Sequence, residues 1–222
     1  MKKPVIAIDG YSSTGKSSIS KALAKQLGFI HIDTGALYRG ITLFVLQNFV
    51  DGSGNPELDK LEKNLSQINL EFRNINGALE LHLNNRNIDK DIRDPNVSRF
   101  VSQVAKQQFV RDFLLSTQQK LAEQGGVIMD GRDIGTVILP NADFKFFLTA
   151  SIDERTKRRY AELISCGTET DMHSVRVNLQ LRDKIDSERE VAPLKQAEDA
   201  ILIDNTLLDK EQTIELILSY LH

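Results

Sequence analysis

Residues 5–18 read Val5-Ile6-Ala7-Ile8-Asp9-Gly10-Tyr11-Ser12-Ser13-Thr14-Gly15-Lys16-Ser17-Ser18, and this stretch decides the fold. The apolar run at its start predicts a strand, and a helix-like segment follows that continues to Leu27 and stops at Gly28. Between them stands the pattern G-x-x-x-x-G-K-[ST], whose backbone N–H groups and helix N-terminus form a cradle for phosphate. The alternative is a glycine-rich turn that only caps a helix.

A nucleoside triphosphate is the ligand that this P-loop pattern predicts. Lys16 would reach the β- and γ-phosphates, and the hydroxyl of Ser17 would sit on Mg²⁺. Mg²⁺ is therefore the predicted cofactor, with ATP as co-substrate. The predicted ATP-binding residues of the loop are Gly10, Tyr11, Ser12, Ser13, Thr14, Gly15, Lys16, Ser17 and Ser18.

The composition is that of a soluble globular protein, with 41% hydrophobic and 27% charged residues in a chain of 222. This length allows one domain, or one core with a small insert. A formal net charge of −3 argues against an extended surface for nucleic acid or membrane. The single cysteine, Cys166, excludes an internal disulfide framework and fits a reducing compartment. No signal-peptide core is visible, so we expect a cytoplasmic protein. We also expect its substrates to be small molecules, and a monomer is the default expectation.

Short apolar runs alternate with stretches of helical period, which predicts an α/β fold: a three-layer α/β/α arrangement around a five-stranded parallel sheet. The apolar runs 127–129 and 201–203 predict strands buried on both faces. The predicted strands are 4–9, 29–32, 126–130, 144–149 and 200–204. The predicted helices are 16–27, 36–49, 57–66, 96–123, 153–165, 174–190 and 210–221.

A second pattern interrupts this alternation. Residues 68–72 and 79–83 alternate apolar and polar side chains on either side of Asn76-Gly77, which predicts an antiparallel hairpin. Such a hairpin does not fit a crossover within a parallel sheet. We therefore predict a small β insert over residues 67–93.

Two polar clusters follow predicted strands. Thr34 is a natural N-cap after the second strand, and Arg39 would lie one turn into the next helix, where an arginine can bind phosphate. The alternative is an ordinary cap with a solvent-facing arginine. Asp130 ends an apolar strand and is followed by Arg132 and Asp133, which matches the Walker-B arrangement of a carboxylate near Mg²⁺, here through water. An apolar run that ends in Asp is common, so this pattern is weak alone.

Arginines also cluster on two predicted helices. Arg155, Arg158 and Arg159 have the spacing of one helix face, where a polyanion would relieve their repulsion. The alternative is a solvated face balanced by neighbouring acidic residues. Arg182, Asp186 and Arg189 also share a face, although an Arg–Asp pair at this spacing is ordinary in helices. No nucleophile–base pattern is present, which fits phosphoryl transfer, where the protein mainly positions reactants and neutralises charge.

Together, the P-loop, D-[ST]-G-A-x-Y-R at residues 33–39, G-R-D-x-G-T at 131–136 and E-R-x-x-R-R at 154–159 resemble the bacterial cytidylate kinase family. Val191-Ala192-Pro193-Leu194 is also familiar from that family, and the resemblance runs from about residue 3 to 220. It implies phosphate transfer from ATP to CMP or dCMP. It also implies a single kinase domain over 1–222, with a core of 1–66 and 94–222, a monophosphate-binding insert at 67–93 and a helical lid at about 153–190.

The resemblance also implies roles for individual residues. Thr34, Arg111 and Asp133 would read the cytosine base, and Arg182 and Asp186 would contact the sugar. The acceptor phosphate would be held by Arg39, Arg132 and Arg189. The catalytic residues would be Lys16, Arg132, Arg155 and Arg159, with Arg158 contacting ATP.

The chain departs from the family at Gln107-Gln108-Phe109, where a proline is common. We therefore expect one uninterrupted helix across 96–123.

The alternatives to cytidylate kinase activity are the activity of another small-molecule P-loop kinase (UMP/CMP, adenylate or shikimate kinase) and the role of a non-catalytic nucleotide sensor.

Overall fold

The computed structural model of the chain describes residues 3–75 and 78–221. The chain forms two compact units, the first from residues up to Asp33 and from Gln119 onward, the second from Thr34–Gln118. Among the described residues, no helix is long and apolar enough to cross a membrane.

The elements are numbered in chain order. The strands are β1 (Val5–Gly10), β2 (Ile30–Asp33), β3 (Leu70–Ile75), β4 (Ala78–Leu83), β5 (Arg86–Asn87), β6 (Val127–Asp130), β7 (Phe144–Thr149) and β8 (Ile201–Asp204). The α-helices are α1 (Lys16–Leu27), α2 (Thr34–Asn48), α3 (Leu58–Lys63), α4 (Pro95–Ala105), α5 (Gln108–Ala122), α6 (Ile152–Ser165), α7 (Met172–Glu188) and α8 (Lys210–Leu218). A π-helical turn spans Ile134–Ile138.

The first unit contains a five-stranded parallel sheet in the order β2-β6-β1-β7-β8. Each strand lies where an apolar run predicts it, and the inner strands β1, β6 and β7 are the most buried, as continuous apolar sequence predicts. The predicted fold class, a parallel α/β sheet flanked by helices with a separate antiparallel sheet, is confirmed.

Helix α1 shows how the sequence specifies the packing of this unit. Its buried positions recur at helical spacing, and they pack with α8 against β1, β6 and β7. The helix ends at Gly28, whose φ of 63° is left-handed and whose N–H group bonds to the carbonyl of Ala24. The end predicted at Leu27 is therefore confirmed.

The prediction that 201–203 is buried on both faces is wrong. Strand β8 is an edge strand of the sheet, and Leu202 is 55% exposed. Val127, Ile128 and Met129 of β6 lie inside the sheet and are fully buried, as predicted.

The second unit has its own apolar core, formed by α2, α4 and a three-stranded antiparallel sheet in the order β3-β4-β5. Leu70 lies opposite Leu83, and Phe72 lies opposite Leu81, so the two predicted hairpin strands are confirmed. The predicted turn residues, Asn76 and Gly77, lie outside the described residues. The short strand β5 follows through Asn84 and Asn85, both of which have positive φ.

The uninterrupted helix predicted over 96–123 is wrong, because α4 ends at Ala105 and α5 begins at Gln108. The N–H group of Gln107 bonds to the carbonyl of Val104 in a tight turn. The carbonyl of Ala105 accepts a hydrogen bond of 3.1 Å from the guanidinium of Arg111. An arginine side chain thus satisfies a carbonyl group at the end of α4.

Candidate functional site

The P-loop lies between β1 and α1, and two glycines determine its path. A Cβ atom at Gly10 would lie 2.0 Å from the carbonyl oxygen of Leu148, so only glycine permits this approach to β7. Gly15 has φ 87°, and its carbonyl accepts the N–H group of Ile19 at 2.9 Å. The loop therefore wraps around the N-terminus of α1, where an anion is favoured.

Lys16 is buried beneath this loop. Its Nζ donates to the carbonyl oxygen of Tyr11 at 2.6 Å and lies 3.4 Å from Oγ1 of Thr14. Burial, and secondarily the positive charge of Arg132, hold the pKa of Lys16 well below its usual value. A phosphate group beside this amine would favour its charged form, which is the role that the P-loop pattern predicts.

The two residues that the sequence predicts near Mg²⁺, Ser17 and Asp130, contact each other. The Ser17 hydroxyl donates to Asp130 Oδ2 at 2.7 Å, although 113 residues separate them. The other carboxylate oxygen of Asp130 lies 2.6 Å from Nε2 of His31 in β2. Sequence reasoning missed His31, because only the pairing of β2 with β6 brings it to Asp130.

Arg132 connects the P-loop to α7. Its guanidinium donates to Oγ of Ser12 at 2.9 Å and to Asp186 at 3.0 Å. Burial opposes the charge, but the carboxylates around it, Asp186 first, raise the pKa of Arg132 above its usual value. The arginine is thus a permanent cation that touches both the loop and a predicted sugar-binding residue.

Asp183 contacts the P-loop, which the sequence did not predict. It accepts the backbone N–H group of Ser12 at 3.2 Å and forms an ion pair with Arg155. Arg155 also donates to the Ser12 carbonyl at 3.2 Å and lies over the ring of Tyr11. The sequence shows Asp183 directly after the predicted sugar-binding residue Arg182, but helical spacing alone does not connect it to Ser12.

The other two arginines of α6 lie differently from Arg155. Arg158 donates to the side chain of Asn205 at 3.1 Å and to its carbonyl at 2.8 Å. Asn205 in turn donates to the P-loop carbonyl of Thr14 at 2.9 Å, so Arg158 reaches the loop indirectly. Arg159 pairs with Glu162 at 2.8 Å. Helix α6 thus brings one arginine, Arg155, directly onto the loop.

Asp133 and Arg189 form a buried ion pair of 3.0 Å in the first unit. Arg189 also donates to the carbonyl of Ala192, at 2.7 Å. Ala192 has φ 46°, an uncommon conformation for a residue with a side chain, and it precedes Pro193. Arg182 is half-buried and lies one helical turn before Asp186.

The remaining predicted residues belong to the second unit. Thr34 is the buried first residue of α2, and Arg39 lies further along the same helix, partly buried. The guanidinium of Arg111 lies 5.4 Å from the ring centre of Tyr38, an arrangement that attracts the cation to the aromatic face. Together with its bond to Ala105, this contact gives Arg111 a defined direction.

A P-loop after the first strand of a parallel sheet, with a buried lysine and converging arginines, defines a P-loop phosphotransferase of the kinase class. Comparison with known proteins refines this class: the cytidylate kinase family matches residues 6–222, so the chain belongs to that family. The predicted family resemblance is thereby confirmed.

Individual relatives agree along almost the whole chain. The chain is 48% identical to a cytidylate kinase of Flavobacterium psychrophilum over 221 residues, which cover 98% of this chain and 97% of the relative. It is 45% identical to a cytidylate kinase of Caldicellulosiruptor bescii over 218 residues, 98% of this chain and 95% of the relative. The crystal structure of an uncharacterized protein from Eubacterium ventriosum is 14% identical, covers 99% of this chain and 98% of its own, and has a TM-score of 0.51. That last similarity concerns the fold alone.

Proposed function

We propose that the protein transfers the γ-phosphoryl group of ATP to CMP or dCMP, giving ADP and CDP or dCDP. The observation that carries this proposal is Arg132, which contacts both the P-loop at Ser12 and the predicted sugar-binding residue Asp186. A single cation that contacts both the ATP-binding loop and a predicted acceptor-binding residue suits a reaction in which a phosphoryl group passes from one nucleotide to another. Membership in the cytidylate kinase family supports the choice of CMP and dCMP as acceptors.

Mutual repulsion of two polyanions is the main obstacle to this reaction. Lys16 would hold the β- and γ-phosphates, while Arg132 and Arg155 would neutralise charge on the transferring group and the acceptor. The acceptor phosphate is already largely ionised near neutral pH, so its oxygen attacks without a general base. Arg158, through Asn205, would fix the ATP side of the loop, and Arg159 would join the catalytic arginines when α6 and α7 close as a lid.

Oxygen donors suited to Mg²⁺ are present beside the loop. Ser17 and Asp130 offer a hydroxyl and a carboxylate within 2.7 Å of each other, which is the donor chemistry that Mg²⁺ prefers alongside substrate phosphates. When bound, the ion would neutralise phosphate charge. His31 would hold the carboxylate of Asp130 toward Ser17.

Acidic, basic and neutral polar residues would together bind the acceptor nucleotide. The carboxylate of Asp133 would accept a hydrogen bond from the exocyclic amine of cytosine. Uracil has a carbonyl oxygen in place of this amine, and the carboxylate would repel it. Thr34 and Arg111 would complete the base contacts, Arg182 and Asp186 would hold the sugar, and Arg39, Arg132 and Arg189 would hold the phosphate. Residues 67–93 would serve as the monophosphate-binding insert of a single kinase domain. The protein would act as a monomer in the cytoplasm.

The experiment that tests the proposal is an assay of ADP release from Mg·ATP with CMP, dCMP, UMP, AMP, GMP and shikimate as separate acceptors. Fast turnover with CMP and dCMP, and little with the others, is the expected result. Turnover with a different acceptor would void the base-reading roles. Absence of any acceptor-dependent turnover would favour a nucleotide sensor.

A further inference from the structure

Asp9 is a buried carboxylate that the proposed chemistry does not use. It lies in β1, is 4% exposed, and accepts the backbone N–H groups of Ile134 and Gly135 at 2.8 and 2.7 Å. These two residues begin the π-helical turn that directly follows Asp133. One side chain of the central sheet therefore holds the segment that carries Arg132 and Asp133.

The backbone at Asp9 has little freedom to move. It lies within the parallel pairing of β1 with β7, opposite Phe147, and the next residue is Gly10. The close approach of Gly10 to the carbonyl of Leu148 fixes the end of the strand where the P-loop begins. The carboxylate of Asp9 thus extends from the same rigid point as the loop.

The held segment is also confined on its other side. Lys145 of β7 is buried and donates to the carbonyl of Pro140 at 2.5 Å and to the carboxylate of Asp199 at 2.7 Å. A Cβ atom at Gly135 would lie 3.1 Å from Cδ of Lys145 and 3.4 Å from Oδ2 of Asp9. Gly135 therefore packs between the two side chains with no spare room.

We propose that Asp9 is a positioning residue for the acceptor nucleotide, because it fixes Arg132 and Asp133 relative to the P-loop and so sharpens the choice between CMP and UMP. This inference rests on the proposed function. A carboxylate suits the task because it accepts two N–H groups with two oxygens, whereas an amide turns an N–H group toward one of them. Burial raises the pKa of Asp9 to about 7 against the opposing effect of those two N–H groups, which favour the ionised form that accepts with both oxygens.

The test is the variant Asp9→Asn, assayed for kcat and KM with CMP and with UMP, and for ATP affinity by calorimetry. We expect the CMP:UMP ratio of kcat/KM to fall by about tenfold, while the Kd of ATP changes by less than about twofold. The KM of CMP should rise, because a displaced Asp133 and Arg132 bind the nucleotide less well. A merely structural role would not separate the two nucleotides in this way.

Asp143→Asn is the matched control. Its carboxylate accepts the N–H group of Val5 at 2.7 Å, at the opposite end of β1, so the same kind of bond is altered away from the segment. The CMP:UMP ratio should stay unchanged in this variant. Gly135→Ala is the second test, because its methyl group would press on Lys145 and displace the same segment. This variant replaces Asp9→Asn as the test if Asp9→Asn does not fold.

Two results would overturn the inference. One is an unchanged CMP:UMP ratio in Asp9→Asn and Gly135→Ala, with wild-type enzyme that prefers CMP. The other is a loss of ATP affinity equal to the loss of kcat/KM, which would assign Asp9 to the P-loop alone. Wild-type enzyme without a preference for CMP would instead overturn the proposed function itself, and the inference with it.

Discussion

Asp133 and Arg189 form an ion pair of 3.0 Å in which their side chains are only 4% and 3% exposed. A buried charge is costly unless it is paired, so each side chain offsets the cost of burying the other. Any nucleotide that Asp133 reads must therefore bind a carboxylate that already accepts a hydrogen bond from Arg189. The pair gives Asp133 a defined orientation before the nucleotide arrives.

Replacement of Asp133 tests its predicted role as base reader. Asp133→Asn keeps the shape but turns one acceptor into a donor, so the CMP:UMP ratio of kcat/KM should fall about tenfold or more. Asp133→Ala should in addition reduce the free energy of unfolding by about 3–5 kcal/mol, because it leaves Arg189 buried without its carboxylate. Steady-state kinetics and urea unfolding measure the two effects. An unchanged ratio in Asp133→Asn would show that another residue reads the base.

Lys16 should be required for turnover but not for folding. Lys16→Ala removes the cation expected at the β- and γ-phosphates, and kcat should fall by about 10²- to 10³-fold. Lys21→Ala is the control, because Lys21 lies exposed on the same helix. Circular dichroism checks that both variants fold. Near-wild-type turnover in Lys16→Ala would contradict the proposed mechanism.

Asp183 should weaken ATP binding in the native enzyme. Its carboxylate occupies the N–H group of Ser12 and pairs with Arg155, so incoming phosphates meet a negative charge and a cation that is already engaged. Asp183→Asn removes that charge, and the Kd of ATP measured by calorimetry should fall about fivefold, which corresponds to about 1 kcal/mol.

The control for this variant is Asp153→Asn. Asp153 also pairs with an arginine of α7, Arg176, but it lies on an exposed part of α6. Its replacement should leave the Kd of ATP unchanged. Weaker ATP binding in Asp183→Asn would show instead that Arg155 depends on Asp183 for its position.

Asp9 should make stability depend on pH in a defined direction. Its pKa is raised from 3.8 to about 7 in the folded protein, first by burial and further by the charge of Asp133, while Lys16 and two backbone N–H groups oppose the shift. Between these two pKa values the folded state holds a proton that the unfolded state has lost. This contribution to stability is therefore present at low pH and declines as the pH rises toward 7, by up to about 1.4 kcal/mol per pH unit.

Urea unfolding of wild type and Asp9→Asn at pH 5, 6, 7 and 8 measures this contribution. The stability of wild type relative to the variant should decrease from pH 5 to pH 7 and level off above it. Parallel pH profiles for the two proteins would show that Asp9 does not titrate in this range.

The sheet strands and the P-loop were predictable because local patterns specify them. Apolar runs predict β1, β2, β6, β7 and β8 to within about two residues, and burial on both faces explains the runs of the inner strands β1, β6 and β7. The division of 96–123 into α4 and α5 was not predictable. It depends on the guanidinium of Arg111 bonding to the carbonyl of Ala105, a side-chain contact that propensity does not encode. The exposure of Leu202 depends on β8 being the edge strand, which is a property of the sheet order.

The sequence by itself determined the chemical class of this protein, because the spacing of glycines and Lys16 in one short loop suffices to build a phosphate cradle. The tertiary structure alone decided which other groups surround that loop. Asp183 lies 171 residues from Ser12, and Asp9 lies 125 residues from Ile134, so no local pattern connects them. Packing of parallel strands and helices brings these charges together, and burial then determines which of them must be paired.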